Sequence, residues 1–285
     1  MSALDVNGIS LEYFENGNGE PLVLVHGSHS DYRTWELQQE EFAKHFRVIT
    51  YSRRYHWPNK PIPDNADYSM IEHVDNLEAL LASLDASPAH LVGHSYGVFL
   101  CLLLAIRAPK LVRSLVLTEP PVITLFVSDP PKLTEILKLL VTQPRLAAAI
   151  IRFGATGIAP AKRAAKKNDM EAATRIFGKA ILGRKFYNDL SEERLEQVRP
   201  NAIQAEFLGT GFAPLDSGDL SDIQIPTLLV TSQHSAVLFR RLADRLEELL
   251  PNAEQIKIED SSHIVHEDNA PDYNKAVLAF LSKNR

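Results

Sequence analysis

Ala89-His90-Leu91-Val92-Gly93-His94-Ser95-Tyr96-Gly97-Val98-Phe99-Leu100 is the stretch on which the fold turns. Its first residues read as a buried strand, and the run from Val98 to Arg107 reads as a helix. Between them stands Gly-x-Ser-x-Gly, with no residues left over for a loop. A strand that passes straight into a helix needs so tight a turn that the flanking positions call for glycine. The same turn throws the central Ser95 hydroxyl clear of the sheet at the helix N-terminus. The pentapeptide alone is a weak signal; placed between a buried strand and a helix it is a strong one.

Working outward, residues 21–26 form a nearly continuous apolar run that ends in His26-Gly27. That is the pattern of a central parallel strand buried on both faces. Further strands are expected at 47–51, 89–93 and 112–118, each separated from the last by a helical stretch. One such helix begins near Ser69, with Glu72 three residues on, and reads as a capping box. Asn7-Gly8, between strand-like runs at 3–6 and 9–14, reads as a hairpin turn. After Pro120-Pro121 the pattern changes, and 122–221 carries helical segments with no convincing strand. Strand character resumes at 226–231 and 253–259, with helices expected at 237–250 and 273–282. The chain thus predicts an α/β protein: a mostly parallel central sheet flanked by helices, built from 1–121 and 222–285, with 122–221 as an inserted helical cap.

With 285 residues, 45% hydrophobic and 23% charged, the chain is neither disordered nor fibrous. Its apolar runs fall short of the roughly 18 residues a membrane span needs, and residues 1–5 show neither part of a secretory leader. The single cysteine, Cys101, rules out an internal disulfide and a thiolate zinc cluster, which fits a reducing cytosol and a cytoplasmic location. A net charge of −6 gives no reason to expect a nucleic-acid partner. Between Pro130 and Lys185, however, 12 Lys and Arg face only Glu135, Asp169 and Glu171. This is either a solvated helix face or a lid that steers anions. There is no H-E-x-x-H, phosphate loop or dinucleotide fingerprint, so no metal and no cofactor are expected, and the partner is a small-molecule substrate. The sequence is silent on oligomeric state.

On residues 93–97 in their strand-to-helix setting, and on His26-Gly27-Ser28 at an earlier strand end, the chain resembles an α/β-hydrolase over nearly all its length outside the insertion. The resemblance implies that Ser95 is a nucleophile and that the backbone N–H groups of Ser28 and Tyr96 form an oxyanion hole. His26 is then a loop-holding residue and His94 a packed one. The base is the histidine just after the last strand, His263, with His266 as competitor. The acid departs from the family's commonest pattern, because Ser232-Gln233-His234-Ser235 puts Ser235 where an Asp is usual. Some relatives carry the acid one strand earlier, which here is Glu119; Asp260 and Asp222 are alternatives, and a structural role at the start of the insertion is another. His29, Arg53 and Arg54 are candidate substrate-binding residues, although paired arginines are also often tied up by loop carbonyls and carboxylates. Tyr32 is ambiguous and Trp35 reads as core.

Such a Ser-His-Glu triad implies a carboxylesterase-like serine hydrolase of esters or thioesters. Serine at the elbow argues against dehalogenase or epoxide hydrolase chemistry, which needs a carboxylate nucleophile. C–C bond hydrolysis or perhydrolysis would use the same residues. A hydrolase-fold ligand receptor is the reading outside the enzyme class.

Overall fold

The run at 21–26 is uniformly apolar because alternate side chains of strand β3 (Pro21–Val25) enter opposite cores. Leu22 and Leu24 are buried in one cluster, Val23 and Val25 in the other. The structure, a computed structural model, describes residues 2–64 and 66–285. Around β3 lie β1 (Ser2–Val6), β2 (Ile9–Asn16), β4 (Arg47–Tyr51), β5 (Ala89–His94), β6 (Val112–Thr118), β7 (Thr227–Ser232) and β8 (Ala253–Ile258). They form an eight-stranded sheet in the order β1-β2-β4-β3-β5-β6-β7-β8. β2 runs antiparallel to both its neighbours, and all pairings from β4 to β8 are parallel. Asn7 (φ 49°) and Gly8 (φ 75°) make the β1–β2 turn, with the two positive φ angles that a tight hairpin requires.

Helices α1 (Glu36–Ala43), α2 (Met70–Ser83) and α3 (Tyr96–Arg107) cross between the first strands. Between β6 and β7 the chain forms α4 (Leu133–Thr142), α5 (Pro144–Phe153), α6 (Ala159–Lys166), α7 (Met170–Leu182), α8 (Arg184–Asn188), α9 (Glu192–Val198), α10 (Gln204–Leu208) and α11 (Ser217–Ser221). α12 (Val237–Leu249), α13 (Val265–Asp268) and α14 (Ala270–Lys283) complete it. Leu77 of α2, Leu102 of α3 and Leu246 of α12 pack on one face of the sheet, Phe42 of α1 and Val277 of α14 on the other. The helices between β6 and β7 are tied to the sheet unit by polar contacts. Arg194 of α9 pairs with Glu267 at 2.8 Å, and the Asn201 amide donates to Asp31 at 2.7 Å.

Two local expectations are corrected. Ser69 precedes α2 but its side chain makes no capping bond, and Glu72, the other half of the expected box, pairs instead with the Arg54 guanidinium at 2.8 Å. The last helix starts at Ala270 rather than 273, since Asn269 caps it and Pro271 is accommodated in its first turn.

Candidate active site

β5 ends at His94 and α3 begins at Tyr96, so Ser95 alone makes the joint. Its φ of 49° and ψ of −116° are strained for a residue with a Cβ, at a cost of order 1–3 kcal/mol. Its N–H extends the sheet ladder to the Thr118 carbonyl at 2.9 Å. The flanking glycines are required by close approach: a Cβ on Gly93 would lie 2.8 Å from the Gly97 carbonyl oxygen, and one on Gly97 would strike the Val25 carbonyl. Tyr96 is the first residue of α3, so its N–H has no intrahelical acceptor. Ser28, just beyond β3, lines the same cavity as Ser95 and Tyr96.

Glu119 follows β6 directly and is fully buried. Its Oε1 accepts the Ser232 N–H at 2.8 Å. Its Oε2 accepts the Ser235 hydroxyl at 2.7 Å and lies 3.1 Å from His263 Nδ1. That Nδ1 must carry the proton, because it faces a carboxylate oxygen. The lone pair is then on Nε2, which is buried and has no partner among the described residues. The ring is held between His94 and Phe239, at centroid distances of 5.1 and 4.7 Å, and His94 Nε2–H donates to the His263 carbonyl at 2.8 Å. His266 stands elsewhere, its Nε2 2.9 Å from the Thr34 hydroxyl. Asp222 and Asp260 are exposed. Ser235, at the position usual for an acid, thus serves as a donor to Glu119.

A cavity of about 200 Å³ opens beside Ser95. Ile150 and Phe153 of α5, Phe177 of α7 and Leu238 and Phe239 of α12 make its apolar wall, and His29, Tyr68 and Glu206 its polar end. His29 therefore reaches the cavity, but Arg53 and Arg54 do not line it. Arg53 is 1% exposed; it donates to the Tyr68 hydroxyl at 2.9 Å and the Gly27 carbonyl at 3.0 Å, and lies 4.3 Å from the centre of the Tyr96 ring. Held on these fixed acceptors and outside the cavity lining, its guanidinium is not presented to a substrate anion. Arg54 is held on Glu72. Glu206 and Tyr68 belong to no motif and had no signal in the sequence; Glu206 sits in a short insertion helix beside Phe207. Among the described residues no cluster of His, Cys, Asp and Glu could hold a metal ion, and no helix is long and apolar enough to cross a membrane.

His26 holds the loop after β3: its Nδ1–H donates to the Gly27 carbonyl at 2.9 Å and its Nε2 accepts the Arg53 N–H at 2.8 Å. Burial lowers the pKa of His26, His56 and His73 well below the usual value, with Arg53 adding to it. Burial does the same to His94 and His266, helped by neighbouring imidazoles. The unfolded chain, with histidines near 6.5, binds protons that the folded protein refuses, so stability rises with pH through this range. We expect the urea midpoint to hold above about pH 6.5 and fall from there toward pH 5. The limiting loss is about 1.4 kcal/mol per pH unit for each histidine kept neutral. A midpoint constant from pH 7 to 5 would contradict the neutral assignment.

The sheet order, the strained serine between β5 and α3, and the helical segment after β6 define an α/β-hydrolase. A family model of the alpha/beta hydrolase fold matches residues 20–270, and the chain belongs to this family of enzymes. The (E)-2-((N-methylformamido)methylene)succinate hydrolase of Acinetobacter baylyi is 25% identical over 284 residues, covering 96% of this chain and 95% of that protein. The enol-lactonase of Burkholderia xenovorans superposes with a TM-score of 0.77 at 19% identity, covering 99% of this chain and all of that one. A thermophilic esterase from Thermogutta terrifontis does so with a TM-score of 0.74 at 20% identity, covering 99% and 96%. At such identities the two structures share the fold.

Proposed function

We propose that the protein hydrolyses carboxylic esters or thioesters, with Ser95 as nucleophile, His263 as general base, Glu119 as the acid of the triad, and the Ser28 and Tyr96 N–H groups as oxyanion hole. The observation that carries this reading is the His263 ring, with Nδ1 3.1 Å from a fully buried carboxylate and Nε2 free of any partner among the described residues. Nε2 takes the Ser95 proton as Oγ attacks the acyl carbon, and Glu119 supports the imidazolium that forms. The two N–H groups hold the oxyanion, each worth about 3 kcal/mol in such sites. On collapse, His263 returns the proton to the departing alcohol or thiol. Water then releases the acid from the acyl-enzyme by the same steps in reverse roles. The names of the two structural neighbours, an enol-lactonase and an esterase, support an ester as the target bond.

The test is turnover of p-nitrophenyl butyrate together with a fluorophosphonate probe, which is expected to add one equivalent on the Ser95 peptide. Turnover with the label elsewhere would overturn the assignment. Ligand-induced stabilisation without turnover would favour a receptor instead.

In this reading residues 122–221 are a cap that selects the acyl chain. Ile150→Ala and Phe153→Ala lengthen the apolar wall's reach and are expected to shift the preferred ester toward longer chains. The change is about fourfold in kcat/KM per methylene newly accommodated, from roughly 0.8 kcal/mol per buried CH2. A chain-length ranking identical to that of the parent would remove the cap from substrate selection.

A further inference from the structure

The polar end of the cavity contains a carboxylate that the ester chemistry leaves unused. Glu206 of α10 lines the cavity with a side chain only 7% exposed. One of its two oxygens, Oε2, is short of a donor among the described residues. Its Oε1 lies 3.3 Å from the Tyr68 hydroxyl, but Tyr68 has a single proton. His56 claims that proton: its Nδ1 faces the Ser30 carbonyl at 2.7 Å and carries the ring hydrogen, so its Nε2, 2.7 Å from the Tyr68 oxygen, is an acceptor. Burial and Arg53 keep His56 neutral, so it has no second proton to offer. Arg53 donates from Nη1 to Tyr68 and from Nη2 to Gly27, and the same Nη2 stands 3.5 Å from Glu206 Oε1 as a counter-charge, so Oε1 is served by this ion pair. Glu206 Oε2 has no hydrogen-bond partner among the described residues, and His29 Nε2 is 3.6 Å from it, beyond a normal hydrogen bond.

A buried carboxylate oxygen left without a donor is costly, and a ligand that supplies one gains what the protein forgoes. We propose that Glu206 Oε2 and His29 form a subsite for a substrate hydroxyl, so that the enzyme acts on esters bearing an alcohol group near the scissile bond. This rests on the ester hydrolase reading above. A hydroxyl fits because it donates to Oε2 while accepting from His29 Nε2–H across the same gap. An ammonium would be repelled by Arg53, which stands 3.5 Å from Glu206 and balances its charge, and by Lys162, which lines the cavity. A substrate carboxylate would face Glu206 directly and be repelled.

The experiment measures Kd by NMR titration on Ser95→Ala protein, which holds esters without turning them over. Two ester pairs differ only by OH against CH3. The first, 2-hydroxyethyl butyrate against propyl butyrate, carries the hydroxyl on the alcohol side. The second, methyl 3-hydroxybutanoate against methyl 3-methylbutanoate, carries it on the acyl side. In one pair the hydroxyl member is expected to bind about 10- to 100-fold more tightly, as for a hydrogen bond to a charged group. Adding Glu206→Met should abolish the preference. Glu206→Gln, which keeps the shape and loses the charge, should lower it about tenfold. Equal affinities within both pairs, or a preference that survives both Glu206 substitutions, overturns the subsite. Fluorophosphonate labelling of the parent reports separately on Ser95. A labelled Ser95 with no hydroxyl preference defeats the subsite alone, whereas a hydroxyl preference without labelling defeats the hydrolase reading alone.

Discussion

His263→Ala protein is expected to fold and to hydrolyse esters at least 10³-fold more slowly than the parent, with the loss in kcat. Removal of the base of a serine triad costs up to about 10⁶-fold, because the nucleophile is left with no proton acceptor while the oxyanion donors remain. The substitution also withdraws one of three donors from the buried Glu119 carboxylate, leaving the Ser232 N–H and the Ser235 hydroxyl. A stability loss of about 1–3 kcal/mol should accompany it, visible in the urea midpoint. His266→Ala is the matched control. That ring is fully buried and hydrogen-bonds to Thr34, while the Glu119 carboxylate is bonded to Ser232, Ser235 and His263, so loss of the His266 ring should lower stability and leave kcat within about tenfold. An inactive His266→Ala protein beside an active His263→Ala protein would reverse the assignment.

Glu119→Gln should leave a folded protein whose kcat is lower by about 10²- to 10⁴-fold. The direction follows from hydrogen-bond polarity. Oε1 must remain an acceptor because it receives the Ser232 N–H. The new amide NH2 therefore takes the place of Oε2 and points a donor at His263 Nδ1. The ring then turns to the tautomer with its proton on Nε2 and can no longer take one from Ser95. Ser235→Ala removes one donor to the same Oε2 and leaves the carboxylate in place, so its effect should stay within about tenfold. A Glu119→Gln protein that keeps full activity would take Glu119 out of the mechanism.

The sheet class and the elbow were legible because both are dictated over short stretches of chain. Period-two burial makes β3 an unbroken apolar run, and a one-residue joint between β5 and α3 admits only glycine at its flanks. Ser95 stood out with the elbow itself, whereas His263 and Glu119 were expected only because the family resemblance points to particular strand ends. Even local rules failed where a partner outside the helix competed, as at Glu72, which pairs with Arg54 instead of closing the expected capping box. The partners of buried charges were not legible at all. Glu119 is bonded to residues 113, 116 and 144 positions further along the chain. Arg53, read as a possible ligand for anions, is consumed by Gly27 and Tyr68. Glu206, in an insertion without motifs, meets Tyr68 138 positions away. Residue spacing prescribes backbone conformation and the face a side chain leaves from. Which acceptor satisfies which buried donor depends on how helices and sheet pack, and that exists only once the chain has folded.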